Sequence, residues 1–130
     1  MKNNGFTWHK RMRGFAFAIN GIILMIRNET NARIHTAAAI VACMAGWALN
    51  ISVYEWMAVT AAAAGVLATE AINSAIEALA DRVSTDYDEK IKNTKDLAAG
   101  GVLIMALAAA IIGGIVFIPK IINICSIYCN

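Results

Sequence analysis

Glu70, Asn73, Glu77 and Asp81 lie at offsets of 0, 3, 7 and 11 residues. At about 100° per residue on an α-helix, these offsets fall within a stripe roughly 80° wide. Ala71, Ile72, Ala75, Ile76, Ala78 and Leu79 flank the stripe, at the end of a segment that otherwise reads as a membrane helix. An ionisable group in or near lipid is costly unless it is paired or functional. Three aligned carboxylates and an amide therefore point to a cation site, a proton or ion path, or a catalytic centre. Interhelical hydrogen bonding is the plain structural alternative.

Position along the helix divides the stripe. If the helix descends toward the cytoplasm, Glu70 is deepest. Glu77 then lies about 10 Å and Asp81 about 16 Å closer to the cytoplasm by helix rise. At the head-group boundary Glu70 could orient or deprotonate a lipid hydroxyl, whereas Glu77 would meet soluble, charged substrates. Hard divalent cations prefer carboxylate oxygens, and Mg²⁺ often takes one or two of them plus substrate phosphates. Glu77 is a candidate ligand. Glu29, on a polar stretch at the same depth, is a second, and i, i+4 pairing with Arg33 is its bland reading. Lys95 and Asp96 return to the same interface, where Lys95 could neutralise phosphate charge. The chain lacks Gly-x-x-x-x-Gly-Lys and Gly-x-Gly-x-x-Gly loops and the soluble-kinase loops, so any ATP use rests on another architecture.

The elements that must position these groups are helical. Residues from about 6 to 27 place Trp8, Met12, Phe15, Ile19, Ile22, Ile23 and Ile26 on one face, as in an amphipathic helix lying on a membrane surface. Arg27 to Arg33 reads as a polar hinge. Membrane spans are expected at about 34–51, 54–80 and 97–118. The last is 22 residues without a charge, closed by Pro119 and Lys120, which is enough to cross a bilayer. Ser84 to Asn93 reads as a charged loop, and 119–130 as an apolar tail. His35 reads as an interfacial polar residue, Asp81 as a cap for charge near Arg82 or a substrate contact. Trp8, Trp47 and Trp56 read as interfacial anchors, and Cys43 as a packed small hydrophobe. A tail disulfide between Cys125 and Cys129 has little support.

Composition agrees with one membrane domain over residues 1–130. The chain is 59% hydrophobic, with mean hydropathy +0.60, yet 15% charged. That is too apolar for an ordinary soluble domain. Ten of the eleven Lys and Arg fall between Lys2 and Arg33 or between Arg82 and Lys95, which places those stretches on the cytoplasmic side. Three spans then put the C-terminus outside. Acids are mixed among the second basic group and no recognition motif occurs, so nucleic acid is not an expected partner. Three thin, alanine-rich helices cannot shield a carboxylate stripe alone. A homo-oligomer with sites at subunit interfaces is expected.

The run Glu70-Ala-Ile-Asn73-Ser74-Ala-Ile-Glu77-Ala-Leu-Ala-Asp81-Arg82, followed by Lys95-Asp96, resembles the signature of the bacterial integral-membrane diacylglycerol kinase and undecaprenol kinase family. The likeness covers about residues 5 to 118. It implies an all-α homotrimer with a surface helix and three spans per chain in the bacterial inner membrane. It also implies MgATP as donor, a lipid alcohol as acceptor and a cytoplasmic active site. Carried over by position, Glu70 would be the general base and Glu29 and Glu77 the metal carboxylates. The nucleotide would meet Lys10, Phe17, Glu29, Glu77, Asp86, Tyr87, Asp88, Lys95 and Asp96, with Asn73 and Asp81 in support. Lys10 replaces an arginine of some members, Phe17 a tyrosine and Asp88 a histidine. Asn28 to His35 and Lys95 to Gly100 are more similar to the undecaprenol branch. Asn73-Ser74 and Asp81-Arg82 look more like the diacylglycerol branch. The resemblance leans to undecaprenol as acceptor.

Overall fold

The computed structural model describes residues 8–128, which are all-helical with no strand. The expected start of the surface helix at residues 6 and 7, and Cys129, lie outside the described residues. The elements are α1 (Trp8–Asn28), α2 (Thr30–Ala48), α3 (Val53–Val83) and α4 (Glu89–Tyr128). Two of them, α3 and α4, are long and apolar enough to cross a membrane. In α2 the early residues Asn31, Arg33 and His35 dilute an otherwise apolar alanine-rich helix.

The polar hinge shrinks to one residue. Glu29 is extended (φ −107°, ψ 120°), while its N–H donates to Met25 O and its carbonyl accepts from Arg33 N–H. Residues 30–33 are therefore the first turn of α2, not loop. The Arg33 guanidinium donates to the carbonyls of Ile26 (3.0 Å) and Arg27 (2.6 Å). It thus occupies carbonyls that the end of α1 would otherwise leave open.

The α2–α3 turn is specified residue by residue. Asn50 has φ 47°, the left-handed conformation that asparagine tolerates better than most residues. Ile51 N–H donates to Gly46 O and Asn50 N–H to Trp47 O, the bond pair of a Schellman motif. A Cβ on Gly46 would lie 2.9 Å from Ile51 Cδ1 and 3.0 Å from Trp56 Cη2, so a larger residue there would push both side-chain ends aside. Trp56 packs partly buried against the Ile51–Val59–Val116 cluster rather than serving as a free interfacial anchor. Ser52 then caps α3 with a reciprocal capping box to Glu55.

Two boundaries differ from the sequence reading. The charged loop ends at Asp88, because Asp88 Oδ1 accepts from the N–H groups of Lys90 and Ile91 and starts α4 there. At the other end α4 runs through Pro119 to Tyr128, so the stretch after Pro119 is helix as far as it is described. Cys43 is exposed, not packed. The exposed apolar side chains on one side of α1, among them Trp8, Met12, Phe15 and Ile19, leave a face free for lipid.

Helices α3 and α4 share the most extended interface, with α2 against α3 on one side. Their ends are tied by ion pairs: Lys95 Nζ to Asp81 Oδ1 at 2.9 Å, and Lys120 Nζ to Glu55 Oε2 at 3.2 Å.

Candidate active site

On α3 the stripe Val59, Ala62, Val66, Glu70 is buried. The helix thus carries a carboxylate on the face it uses for packing. Glu70 is 2% exposed and is the one buried charged residue among the described residues. His35, one turn into α2, brings Nε2 to 3.2 Å from Glu70 Oε1. The pair is in contact, but the atoms are not aligned as a hydrogen bond. Glu70 Oε1, Asn73 Oδ1 and Ser74 Oγ are all buried with no hydrogen-bond partner. Unpartnered buried polar atoms are costly and uncommon, and three within one turn of a single helix point to a place where another group is received.

Glu29 and Glu77 lie close enough for their carboxylates to act on Glu70, and His35 touches it, so the α1–α2 break, the start of α2 and α3 converge. Glu77 also acts on Lys95. One continuous set results, running from the buried carboxylate to the exposed helix ends: Glu70 with His35, then Glu29 and Glu77, then Lys95 with Asp81. Lys95 lies ahead of the apolar run 97–118. The hydrogen bond and charge of Asp81 hold its ammonium above the ordinary lysine range.

The chemistry of this donor set suits a magnesium nucleotide better than a closed metal cage. Among the described residues no group of three or more His, Cys, Asp or Glu is clustered to hold an ion. Two carboxylates at Glu29 and Glu77 are what Mg²⁺ needs when phosphates and water fill its remaining positions.

Other expected contacts are not drawn in. Lys10 and Phe17 lie on the exposed part of α1. Asp86 and Tyr87 are exposed in the loop, and Asp88 is engaged in capping α4. Asp96 is paired with Lys92 at 2.6 Å. The sequence reading missed the contact of His35 with Glu70. Its one available signal was a polar residue at the depth where the stripe begins.

Comparisons with known proteins follow the same residues. The model of the prokaryotic diacylglycerol kinase family matches residues 16–117. The undecaprenol kinase of Bacillus subtilis is 34% identical over 109 residues, covering 84% of this chain and 89% of that protein. A diacylglycerol kinase of Synechocystis is 31% identical over 111 residues, 85% of this chain but 63% of its own length. The diacylglycerol kinase of Escherichia coli K12 is 26% identical over 111 residues, 85% of this chain and 91% of that protein. Every one of these matches takes in the α3 stripe, Lys95 and most of both long helices. The chain therefore belongs to the prokaryotic diacylglycerol kinase family and is a lipid kinase.

Proposed function

We propose that the protein transfers the γ-phosphate of MgATP to undecaprenol, giving undecaprenyl phosphate. The single observation that carries the placement of the chemistry is the buried, unpartnered Glu70 carboxylate at the membrane end of a charged path. Undecaprenol is favoured over diacylglycerol by the Asn28–His35 and Lys95–Gly100 stretches. It is favoured also by the 34% identity to an undecaprenol kinase over most of both chains.

In this reading α2, α3 and the apolar part of α4 cross the membrane and α1 lies on its inner surface. The N-terminus and the active site face the cytoplasm. Glu29 and Glu77 would hold Mg²⁺, which would supply charge neutralisation for the phosphates. Lys95 exchanges Asp81 for a phosphate oxygen. Glu70 accepts the proton of the lipid hydroxyl. The hydroxyl oxygen forms its bond to the γ-phosphorus as the bond to the β,γ-bridging oxygen breaks, and ADP leaves. His35 holds the Glu70 carboxylate toward the acceptor, while the Ser74 O–H donates to the acceptor's oxygen and Asn73 flanks it. Positioning and charge neutralisation supply most of the rate. Lys10, Phe17 and residues 86–88 reach the nucleotide from the surface helix and loop. Three chains assemble so that neighbouring helices close the stripe.

The test is phosphorylation by purified protein with labelled ATP, offered undecaprenol and diacylglycerol separately. Magnesium-dependent undecaprenyl phosphate is expected. No product from undecaprenol, with product from diacylglycerol, would reverse the acceptor assignment.

A further inference from the structure

Every transfer leaves one proton behind. The acceptor's O–H bond breaks, its oxygen joins the γ-phosphorus, the bond to the β,γ-bridging oxygen breaks, and the hydroxyl proton stays on Glu70. The carboxylate must lose that proton before it can serve again, yet Glu70 is 2% exposed. We infer that His35 is the exit for this proton. Its Nε2 takes the proton from Glu70 Oε1, and the imidazolium gives it up to water at the start of α2. The inference rests on the lipid-kinase reading of Glu70.

His35 Nε2 lies 3.2 Å from Glu70 Oε1. That is within reach for a proton transfer, and such contacts commonly come into line only when substrate is bound. No neighbouring group offers the same service. Glu29 and Glu77 act on Glu70 through charge and not through a hydrogen bond. Glu77 stands seven residues further along α3, about 10 Å by helix rise. Asn73 Oδ1 and Ser74 Oγ are buried near Glu70 without a partner. An amide and a hydroxyl do not change charge near neutral pH, whereas an imidazole does. Helix α4 brings no titratable side chain between Leu97 and Ile118.

Exposure gives the pair a direction. The His35 side chain is 27% exposed and that of Glu70 3%, so the contact joins a closed carboxylate to a more open ring. Asn31, one helical turn nearer the start of α2, is exposed. The α1–α2 break at Glu29 follows directly. Water around this end of α2 therefore comes within about one turn of the imidazole.

This role is separable from holding Glu70 in place. A side chain that only positions the carboxylate sets the rate of each transfer. A proton exit sets how soon the next transfer can begin. An amide at position 35 keeps the first and loses the second.

The experiment uses the full chain in lipid nanodiscs with MgATP and undecaprenol, or with diacylglycerol if the wild type phosphorylates that instead. Lipid phosphate is followed by rapid quench. His35→Gln should form its first product per chain at close to the wild-type rate and then turn over about tenfold more slowly, as expected when a proton transfer is impaired. His35→Ala should be slow from the first product onward. The space it opens adjoins the cavity of about 250 Å³ that His35 lines, so a small ring can enter. Imidazole should raise the steady rate of His35→Ala about tenfold. Pyrazole, a ring of the same size that stays neutral at pH 7, should not. If one variant does not fold, the other decides alone. A linear time course in a His35→Gln protein that binds labelled ATP, or rescue of His35→Ala by both rings or by neither, overturns the inference. Product formation by the wild type keeps the kinase reading in that case. A wild type that phosphorylates neither alcohol removes the kinase reading and the inference with it.

Discussion

Glu70 and His35 meet across two helices where the charged stripe gives way to the buried apolar residues Val66, Ala62 and Val59. Replacing Glu70 by Gln keeps the shape and removes the proton acceptor. For a general base, kcat should fall about 10²–10⁴-fold, with nucleotide binding retained by equilibrium binding of labelled ATP. Near-normal turnover would remove Glu70 from the chemistry. His35→Ala should cost up to about 10²-fold in kcat, the size of a small misplacement of a catalytic group. His35→Gln should restore part of the loss, because an amide can still touch Oε1. If Ala and Gln variants behave alike, the imidazole is packing and no more. Glu77→Gln should raise the Mg²⁺ concentration for half-maximal rate while leaving KM for the lipid near its starting value. An unchanged magnesium dependence would take Glu77 out of the metal site.

At the scale of elements, the α2–α3 turn makes a sharp prediction. Asn50→Gly should be neutral or mildly stabilising, since glycine adopts φ 47° freely. Asn50→Val should cost about 1–2 kcal/mol, read as a lower melting temperature in detergent. Equal melting temperatures would show that the turn relaxes out of the left-handed region. The expected span of 54–80 fell short of α3 (Val53–Val83) at both ends, and the Ser52–Glu55 capping box was a start signal the reading passed over. The stripe was legible because one helix carries all of it. The meeting of His35 with Glu70 was not, since it depends on the register between α2 and α3, and the pattern within either helix says nothing of that. Asp88 was read for its charge, although Asp ahead of Glu89-Lys90 is also a helix-start signal. Pro119 was read as a stop. In lipid, one missing N–H is better tolerated than a broken helix that exposes many backbone groups, and α4 continues.

Taken whole, the molecule gathers most of its charged groups at the Glu29–Glu77–Lys95 end of α2–α4, with a long apolar body beyond them. With α4 crossing once, Cys125 should react with a membrane-impermeant maleimide in intact cells, in a Cys129→Ser background. A cysteine introduced by Thr85→Cys should react only after the membrane is opened. The reverse pattern would invert the topology. The ion pairs at the two ends of the α3–α4 interface carry one more consequence. Asp81 and Glu55 are 26 residues apart on α3, about 39 Å by helix rise, and each is held to a lysine of α4. Sliding one helix past the other by a single turn, about 5.4 Å, would part both pairs at once. Until a phosphate draws Lys95 away from Asp81, both pairs oppose that slide, so the depth of Glu70 is fixed most firmly in the resting molecule.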